Sequence, residues 1–313
     1  MKKVLVTGGL GFIGSSVVDV LIRNNYDVAI YDDLSTGSII DAYPGCIVFT
    51  NRVEDANSLD LAMSIFKPEF IIHLAAQISV EKSVNNIVDD ALTNIIGTVN
   101  IIKLARIHGV KKIVFASSAA VYGKSDILPI PVSYEGQPLS PYGASKKTAE
   151  NYLKVAKELY GIDYVILRYS NVYGPRQTSN GEGGVVSIFM DRLIRNKQVT
   201  IYGDGFQTRD FIYVEDVAKA NLKALQYGKS GVFNISSTTS TSILELMGLI
   251  QEICMDTLPP VFGHERNGDI KNSVLCNQSS IDSLSWTPEH SLKQGLLKTY
   301  HFYLSEKMAS VNV

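Results

Sequence analysis

Thr7-Gly8-Gly9-Leu10-Gly11-Phe12-Ile13-Gly14 follows a short apolar run, Val4-Leu5-Val6, and opens a stretch of helical period, Ile13 to Asn24. Glycines at 8, 11 and 14 allow a tight strand-to-helix turn and let the backbone approach a pyrophosphate. The helix N-terminus behind them offers N–H groups and a partial positive charge. Asp32 ends the next apolar run, 18 residues past Gly14. An acid there accepts hydrogen bonds from the adenosine ribose hydroxyls and repels a 2′-phosphate, which favours NAD over NADP.

The pattern continues outward from that unit. Val28 to Tyr31, Ile47 to Phe49, Phe70 to Leu74, Ile113 to Phe115 and Val165 to Leu167 each read as a fully buried strand. Helical stretches lie among them, at Ile87 to His108 and Ser145 to Tyr160. Near-continuous apolar strands alternating with helices mean a parallel sheet covered on both faces, and right-handed crossovers make it doubly wound. After Gly174-Pro175 the regularity weakens. Thr178 to Gly184 reads as a loop, Val214 to Tyr227 as a helix, Gly231 to Ile235 as one more strand, and Ser242 to Met255 and Ser291 to Tyr303 as helices. The expectation is an α/β doubly wound sheet with a smaller, interleaved C-terminal lobe. Residues 1–174, joined by about 210–236, form the dinucleotide domain; 175–209 and 237–313 form the ligand lobe, with the site in the crevice between them.

Composition narrows the function classes. Over 313 residues, 29 Lys and Arg against 31 Asp and Glu leave a formal charge of −2, with no basic excess to suit nucleic acid. Apolar runs fall short of a membrane span, and the N-terminus lacks a signal-peptide core. Cys46, Cys254 and Cys276 are scattered, which fits a reduced, cytoplasmic setting and no metal site.

Tyr142-Gly143-Ala144-Ser145-Lys146 opens a helix after Ser140-Pro141. Tyr142 and Lys146 are four apart and share a helical face. A fixed ammonium beside a phenol favours the phenolate and is expected to lower a pKa that is otherwise about 10. Ser118 leaves the fifth strand at its carboxyl end, where catalytic groups of open α/β sheets collect. Its hydroxyl can bond a substrate oxygen and share a proton with Tyr142, or satisfy local backbone groups.

These motifs resemble the extended short-chain dehydrogenases/reductases, in the nucleotide-sugar epimerase branch typified by UDP-glucose 4-epimerase. The resemblance runs from the first strand to about residue 300. It rests on Thr7 to Gly14, Tyr31 to Gly37, His73 to Gln77, Ser117 to Gly123, Tyr142 to Lys146, Leu167 to Arg176, Tyr202 to Phe211 and Arg266 to Asp269. It implies catalysis by Tyr142, Lys146 and Ser118. It places NAD on Gly8, Gly11, Phe12, Ile13, Gly14, Asp32, Asp33, Ser35, Thr36, Gly37, Val53, Leu74, Ala75 and Ala76, with Asn94, Lys146, Tyr142 and Tyr169 at the nicotinamide end. It assigns Ser118, Tyr142, Asn171, Thr200, Tyr202, Arg209, Arg266, Asp269 and Ser273 to a UDP-sugar. The implied reaction oxidises the sugar at C4, turns the keto sugar about its diphosphate linkage and returns the hydride on the other face.

Departures from the family pattern sharpen the reading. Arg52 stands where relatives often carry an adenine-binding acid, to stack on the adenine or face solvent. Asn267 replaces a frequent proline or glutamate. Ala119 and Ala120 follow Ser118 where dehydratases and decarboxylases keep acids, which removes those activities. Ser273 is small at the position that borders the C2 substituent, so UDP-N-acetylglucosamine stands beside UDP-glucose as a substrate. Another nucleotide or carbon, or a non-catalytic NAD-binding regulator, are the alternatives. The family pairs the helix after Asn94 with the Tyr142 helix in a homodimer; Ile101, Ile102 and Leu104 could serve that interface or pack on the sheet.

Overall fold

The computed structural model describes residues 1–37, 43, 45–178, 184–255, 258–265 and 270–311, with side chains as far as 308. Strand β1 (Lys3–Thr7) leads into α1 (Phe12–Arg23), β2 (Asp27–Asp32), β3 (Ile47–Thr50), α2 (Ala56–Phe66) and β4 (Phe70–His73). Next come α3 (Val80–Asn85), α4 (Ile87–Ala91), a π turn (Leu92–Ile96), α5 (Gly97–Ile107), β5 (Lys112–Ser118), α6 (Pro141–Tyr160) and β6 (Asp163–Tyr169). Then follow β7 (Asn171–Tyr173), α7 (Val185–Ile194), β8 (Thr200–Tyr202), β9 (Thr208–Arg209), β10 (Phe211–Tyr213), α8 (Val214–Gln226) and β11 (Gly231–Ile235). The chain finishes with β12 (Thr241–Ser242), α9 (Ile243–Cys254), β13 (Val261–Gly263), α10 (Gln278–Leu284) and α11 (Leu292–Val311).

Seven parallel strands form the central sheet in the order β11-β6-β5-β4-β1-β2-β3. Side chains alternate across it, as the two-residue period of a strand requires. Val4 and Val6 of β1 pack with Val17, Val18 and Leu21 of α1 and Val217 of α8. Leu5 points the other way, to Met63 of α2, Ile101 of α5 and Leu153 of α6. Both faces are therefore dry, which is why the strands read as continuous apolar runs. A third core joins Phe189 and Met190 of α7 to Leu246 and Ile250 of α9 and Leu296 of α11. Three two-stranded sheets, β10-β7, β12-β9 and β13-β8, stand beside the main one.

Strand order reverses between β1 and β4, so the chain leaves this point in both directions and opens a crevice at the carboxyl ends. Three local expectations differ from the structure. Strand β3 is an edge, and Ile47 is half exposed rather than buried. The helix expected over Ile87 to His108 is interrupted by the π turn. Helix α6 starts at Pro141 because Ser140 caps it, its hydroxyl accepting Gly143 N–H at 3.1 Å, with proline at the first turn. Helix α2 is capped by Asp55, whose side chain accepts Asn57 N–H and Ser58 N–H at 3.1 Å.

Candidate active site

The turn before α1 is compressed on one side and open on the other. Gly8 has φ +68°, and a β-carbon there would sit 2.7 Å from Ala75 N. At Gly14 one would lie 1.9 Å from the Gly8 carbonyl oxygen. Gly11 has room, its nearest neighbour at 3.4 Å, and as N-cap it lends α1 no side chain. The amides of the first turn are thus left for an external anion, and the cradle fits a dinucleotide pyrophosphate. Asp32 is buried and accepts Leu10 N–H and Leu34 N–H at 2.9 Å, one on each oxygen. Burial pushes its carboxyl pKa up against those two amides. Each oxygen keeps a lone pair for a ribose hydroxyl.

Gly8, Gly11, Phe12, Ile13, Gly14, Asp32, Asp33, Ser35, Thr36, Val53, Leu74, Ala75, Ala76, Tyr142, Lys146 and Tyr169 line one cleft. Gly37 stands behind it, where a β-carbon would meet Leu10 O at 2.5 Å. Arg52 is on the rim, mostly exposed, with Nε 3.7 Å from Asp33 Oδ2.

At the other end of the cleft, which Ser117, Tyr142 and Lys146 line, Ser118 closes β5 just behind the lining, its Oγ accepting Ala120 N–H at 3.2 Å. Lys146 is buried, donating to Ala116 O at 2.9 Å with Nζ 4.9 Å from the Phe115 ring centre. Burial lowers its pKa to about 8, opposed by Asp90 and Glu150. Tyr142 corrects an expectation. Burial raises its pKa, Asp90 adds to the rise, and only the Ser118 hydrogen bond lowers it. Desolvating a phenolate outweighs the neighbouring ammonium, which spends its hydrogen bond on a carbonyl.

A family model described as the NAD dependent epimerase/dehydratase family matches residues 4–236. The chain belongs to this family. A Methanocaldococcus jannaschii protein whose provisional name is UDP-glucose 4-epimerase is 45% identical over 96% of this chain and 97% of its own. The crystal structure of UDP-glucose 4-epimerase from Thermotoga maritima with UDP-glucose is 40% identical, with a TM-score of 0.96 over 97% of this chain and 99% of that one. UDP-N-acetylglucosamine 4-epimerase from Methanobrevibacter ruminantium, in complex with UDP-N-acetylmuramic acid, is 36% identical with a TM-score of 0.92 over 97% and 99%.

Within this family member several site groups show their partners only in the structure. His73 is buried between Thr7 Oγ1 at 2.7 Å from Nδ1 and Thr98 Oγ1 at 3.1 Å from Nε2. Thr98 donates to Asn94 O at 2.7 Å, so it accepts from Nε2–H, and Thr7 donates to Nδ1. That network assigns a neutral ring, in accord with a pKa that burial lowers to about 3. Asn94 is the one expected cofactor residue besides Gly37 outside the cleft lining. It exchanges hydrogen bonds with the Gln77 backbone, Oδ1 accepting at 3.0 Å and Nδ2 donating at 2.9 Å, and Nδ2 also reaches Ser145 Oγ at 3.1 Å.

Glu150 and Arg168 form a buried fork, Oε1–Nε 2.9 Å and Oε2–Nη2 2.6 Å, and Ser117 donates to Glu150 Oε1 at 2.6 Å. Glu150 lies one turn beyond Lys146, so its bonds to Ser117 and Arg168 lock α6 against β5 and β6. The signal available in the sequence was the spacing 142, 146, 150 on one face.

The expected substrate residues stand on the smaller sheets. Asn171 begins β7, and its N–H donates to Asp210 O at 2.9 Å. Arg209 ends β9 and Ser273 N–H donates to Thr208 O at 3.3 Å, which brings those two residues together. Thr200 and Tyr202 bound β8, which pairs with β13. Asp210 anchors this region, its buried carboxylate accepting Ser237 N–H at 2.9 Å and Leu275 N–H at 3.2 Å. Arg266 and Asp269, with Asn267, lie outside the described residues. Tyr169 lines the cleft with its ring while its hydroxyl receives Asn221 Nδ2–H at 2.8 Å.

Proposed function

We propose that this chain is an NAD-dependent 4-epimerase of a UDP-hexose, with Tyr142 as general base and acid, Ser118 as its hydrogen-bond partner on the substrate side and Lys146 as the fixed cation. The observation that carries the reading is the placement of Tyr142 in the cleft, one helical turn from the buried Lys146 that donates to Ala116 O of β5. NAD, when bound, takes the C4 hydride and gives it back. The Phe12 and Ile13 amides would hold its pyrophosphate, Asp32 its ribose and Asn94, Lys146 and Tyr169 its nicotinamide end.

Tyr142 takes the proton of the C4 hydroxyl, and Ser118 bridges the phenol to that oxygen. The buried Lys146 ammonium favours the phenolate that the desolvated phenol resists by itself. After the sugar turns about its diphosphate linkage, Tyr142 returns the proton and the three side chains stand as they began. Asn171 and Arg209 bind the diphosphate, with Arg266 and Asp269 at the far end. Thr200 and Tyr202 flank the base, within a ligand lobe made of 175–209 and 237–313. Ala119 and Ala120 leave no carboxyl group beside Ser118, which favours epimerisation over water elimination.

Ser273 borders the sugar C2, and its small side chain supports both a hydroxyl and an N-acetyl substituent there. The complexes of the relatives, one with UDP-glucose and one a UDP-N-acetylglucosamine 4-epimerase, support the same pair. The test is incubation with UDP-galactose, UDP-glucose and their 2-N-acetyl counterparts, with products read by NMR. C4 epimers of at least one pair are expected. Bound NAD with no epimer from any of them would leave an enzyme for another nucleotide or carbon, or a non-catalytic binding protein.

The chain is further proposed to act as a cytoplasmic homodimer. Among the described residues no helix is long and apolar enough to cross a membrane. Ile101, Ile102 and Leu104 are spent on the core. Leu92 and Ile96 on the π turn and Tyr152, Val155 and Leu159 on α6 are exposed instead, and form the apolar face such a dimer would cover. Replacing Val155 and Leu159 together by aspartate is expected to yield monomers in sedimentation, because each buried charge opposes association. Unchanged sedimentation would assign the dimer to another face.

A further inference from the structure

We infer that Arg176 is a positioning residue for the cofactor. It is a clasp that ties together three of the segments walling the cleft and so sets how fast NAD leaves. The role rests on the epimerase reading above, in which the reduced cofactor has to stay while the keto sugar turns.

Those segments are the turn before α1, the chain that follows β2 and the chain that follows β7. Arg176 belongs to the third and lines the cleft together with Gly11, Phe12 and Ile13. Its guanidinium reaches the other two. Nη1 donates to Asp19 Oδ2 of α1 at 2.9 Å and to the Tyr43 hydroxyl, from the chain after β2, at 3.2 Å. Tyr43 in turn donates to Ser15 O at 2.7 Å, three residues past Phe12. Arg176 and Tyr43 are thus held against the flank of the helix whose first amides form the anion cradle.

The other end of the tie is anchored as well. Gln177 donates from Nε2 to Val172 O of β7 at 3.2 Å, and its carbonyl accepts the Tyr303 hydroxyl of α11. Arg176 itself has φ +68°, the left-handed region that residues other than glycine rarely occupy. Backbone held there persists only where its surroundings over-determine it, and such positions cluster at ligand clamps. The side chains of Arg176 and Asp19 are 37% and 31% exposed, so the pair by itself adds little to the stability of the fold. Its leverage is on the cofactor, whose passage requires these bonds to open.

An arginine beside a phosphate cradle is also a ready phosphate ligand, and the two roles give opposite signs in Asp19→Asn. For a ligand, removing the carboxylate frees the guanidinium for the phosphates and slows cofactor release. For a clasp, the anchor is lost and release becomes faster.

The full-length protein loaded with radiolabelled NAD is chased with excess unlabelled NAD, and retained label is followed by filter binding at low and high salt. Arg176→Gly removes the side chain and relieves the positive φ, which protects the fold. It is expected to release NAD about tenfold faster, as suits the loss of hydrogen bonds from a charged donor. Asp19→Asn and Tyr43→Phe should each release it about threefold faster, the scale of a partly exposed contact. Added salt should speed release from wild type more than from Arg176→Gly, because screening weakens the Arg176–Asp19 pair. Unchanged release from Arg176→Gly overturns the proposal, as does slower release from Asp19→Asn. Faster release matched by a lowered melting temperature at saturating NAD overturns it too, since that is damage to the fold. The chase needs no turnover, so a wild type that epimerises no UDP-hexose removes the epimerase reading alone.

Discussion

Replacing Tyr142 with phenylalanine is expected to lower kcat for UDP-galactose by about 10²–10⁴-fold, the range that general-base assistance supplies. KM and bound NAD should stay near wild type. The change deletes one oxygen and leaves the ring, which belongs to the first turns of α6 between Ser140 and Lys146. Ser118 keeps its bond from Ala120 N–H, so the strand end does not reorganise. Lys146 keeps Ala116 O. Among the described residues no other side chain at the carboxyl edge of β5 replaces a phenol that burial holds protonated. A steady-state assay coupled to UDP-glucose formation measures it. A variant within threefold of wild type would remove Tyr142 from the chemistry and with it the reading of the cleft.

The second large effect concerns the turn before α1. Gly14→Ala puts a methyl group 1.9 Å from the Gly8 carbonyl oxygen and 2.8 Å from Gly9 Cα, both backbone atoms. The turn cannot retreat, because Gly8 is itself held at positive φ against the Ala75 amide. Overpacking of this kind costs about 3 kcal/mol where the neighbours are rigid. The expected result is a lowered melting temperature and purified protein without NAD. Gly11→Ala is the contrast. Its methyl group has 3.4 Å of clearance from protein atoms and enters the ligand's side of the turn. That variant should melt as wild type does yet bind NAD poorly. If Gly14→Ala retains the cofactor and its melting temperature, the compressed turn is not what shapes the site.

How much of this was legible in the chain depended on whether the cause was local. The strand-turn-helix around Gly8 to Gly14 was readable because each glycine answers a steric demand within a few residues of itself. The inner strands of the sheet were readable because both faces of each are dry, and apolar runs of that length have few other uses; the edge strand β3 carries a like run although Ile47 is half exposed. Asp32 at the end of β2 and the Tyr142–Lys146 spacing on α6 belong to the same class.

Other features were not legible, and α4 shows why. On this short helix Val88 is exposed and Asp90 is buried, the reverse of what hydropathy suggests. The π turn that follows inserts extra backbone and rotates the face presented by later residues. Hence Leu92 and Ile96 point outward, whereas Ile101, Ile102 and Leu104 turn into the core. No pattern of residue types marks that slip.

From sequence alone came the parallel sheet, the dinucleotide turn and the Tyr142–Lys146 spacing, since these follow from backbone sterics and short spacings. Tertiary structure alone decided the electrical state of the site. The pKa values of Tyr142 and Lys146 depend on how much water the packed elements exclude and on carboxylates at positions 90 and 150, the first of them brought from a different helix. Desolvation and charge act through space, and a linear chain does not record which of its distant residues will share that space.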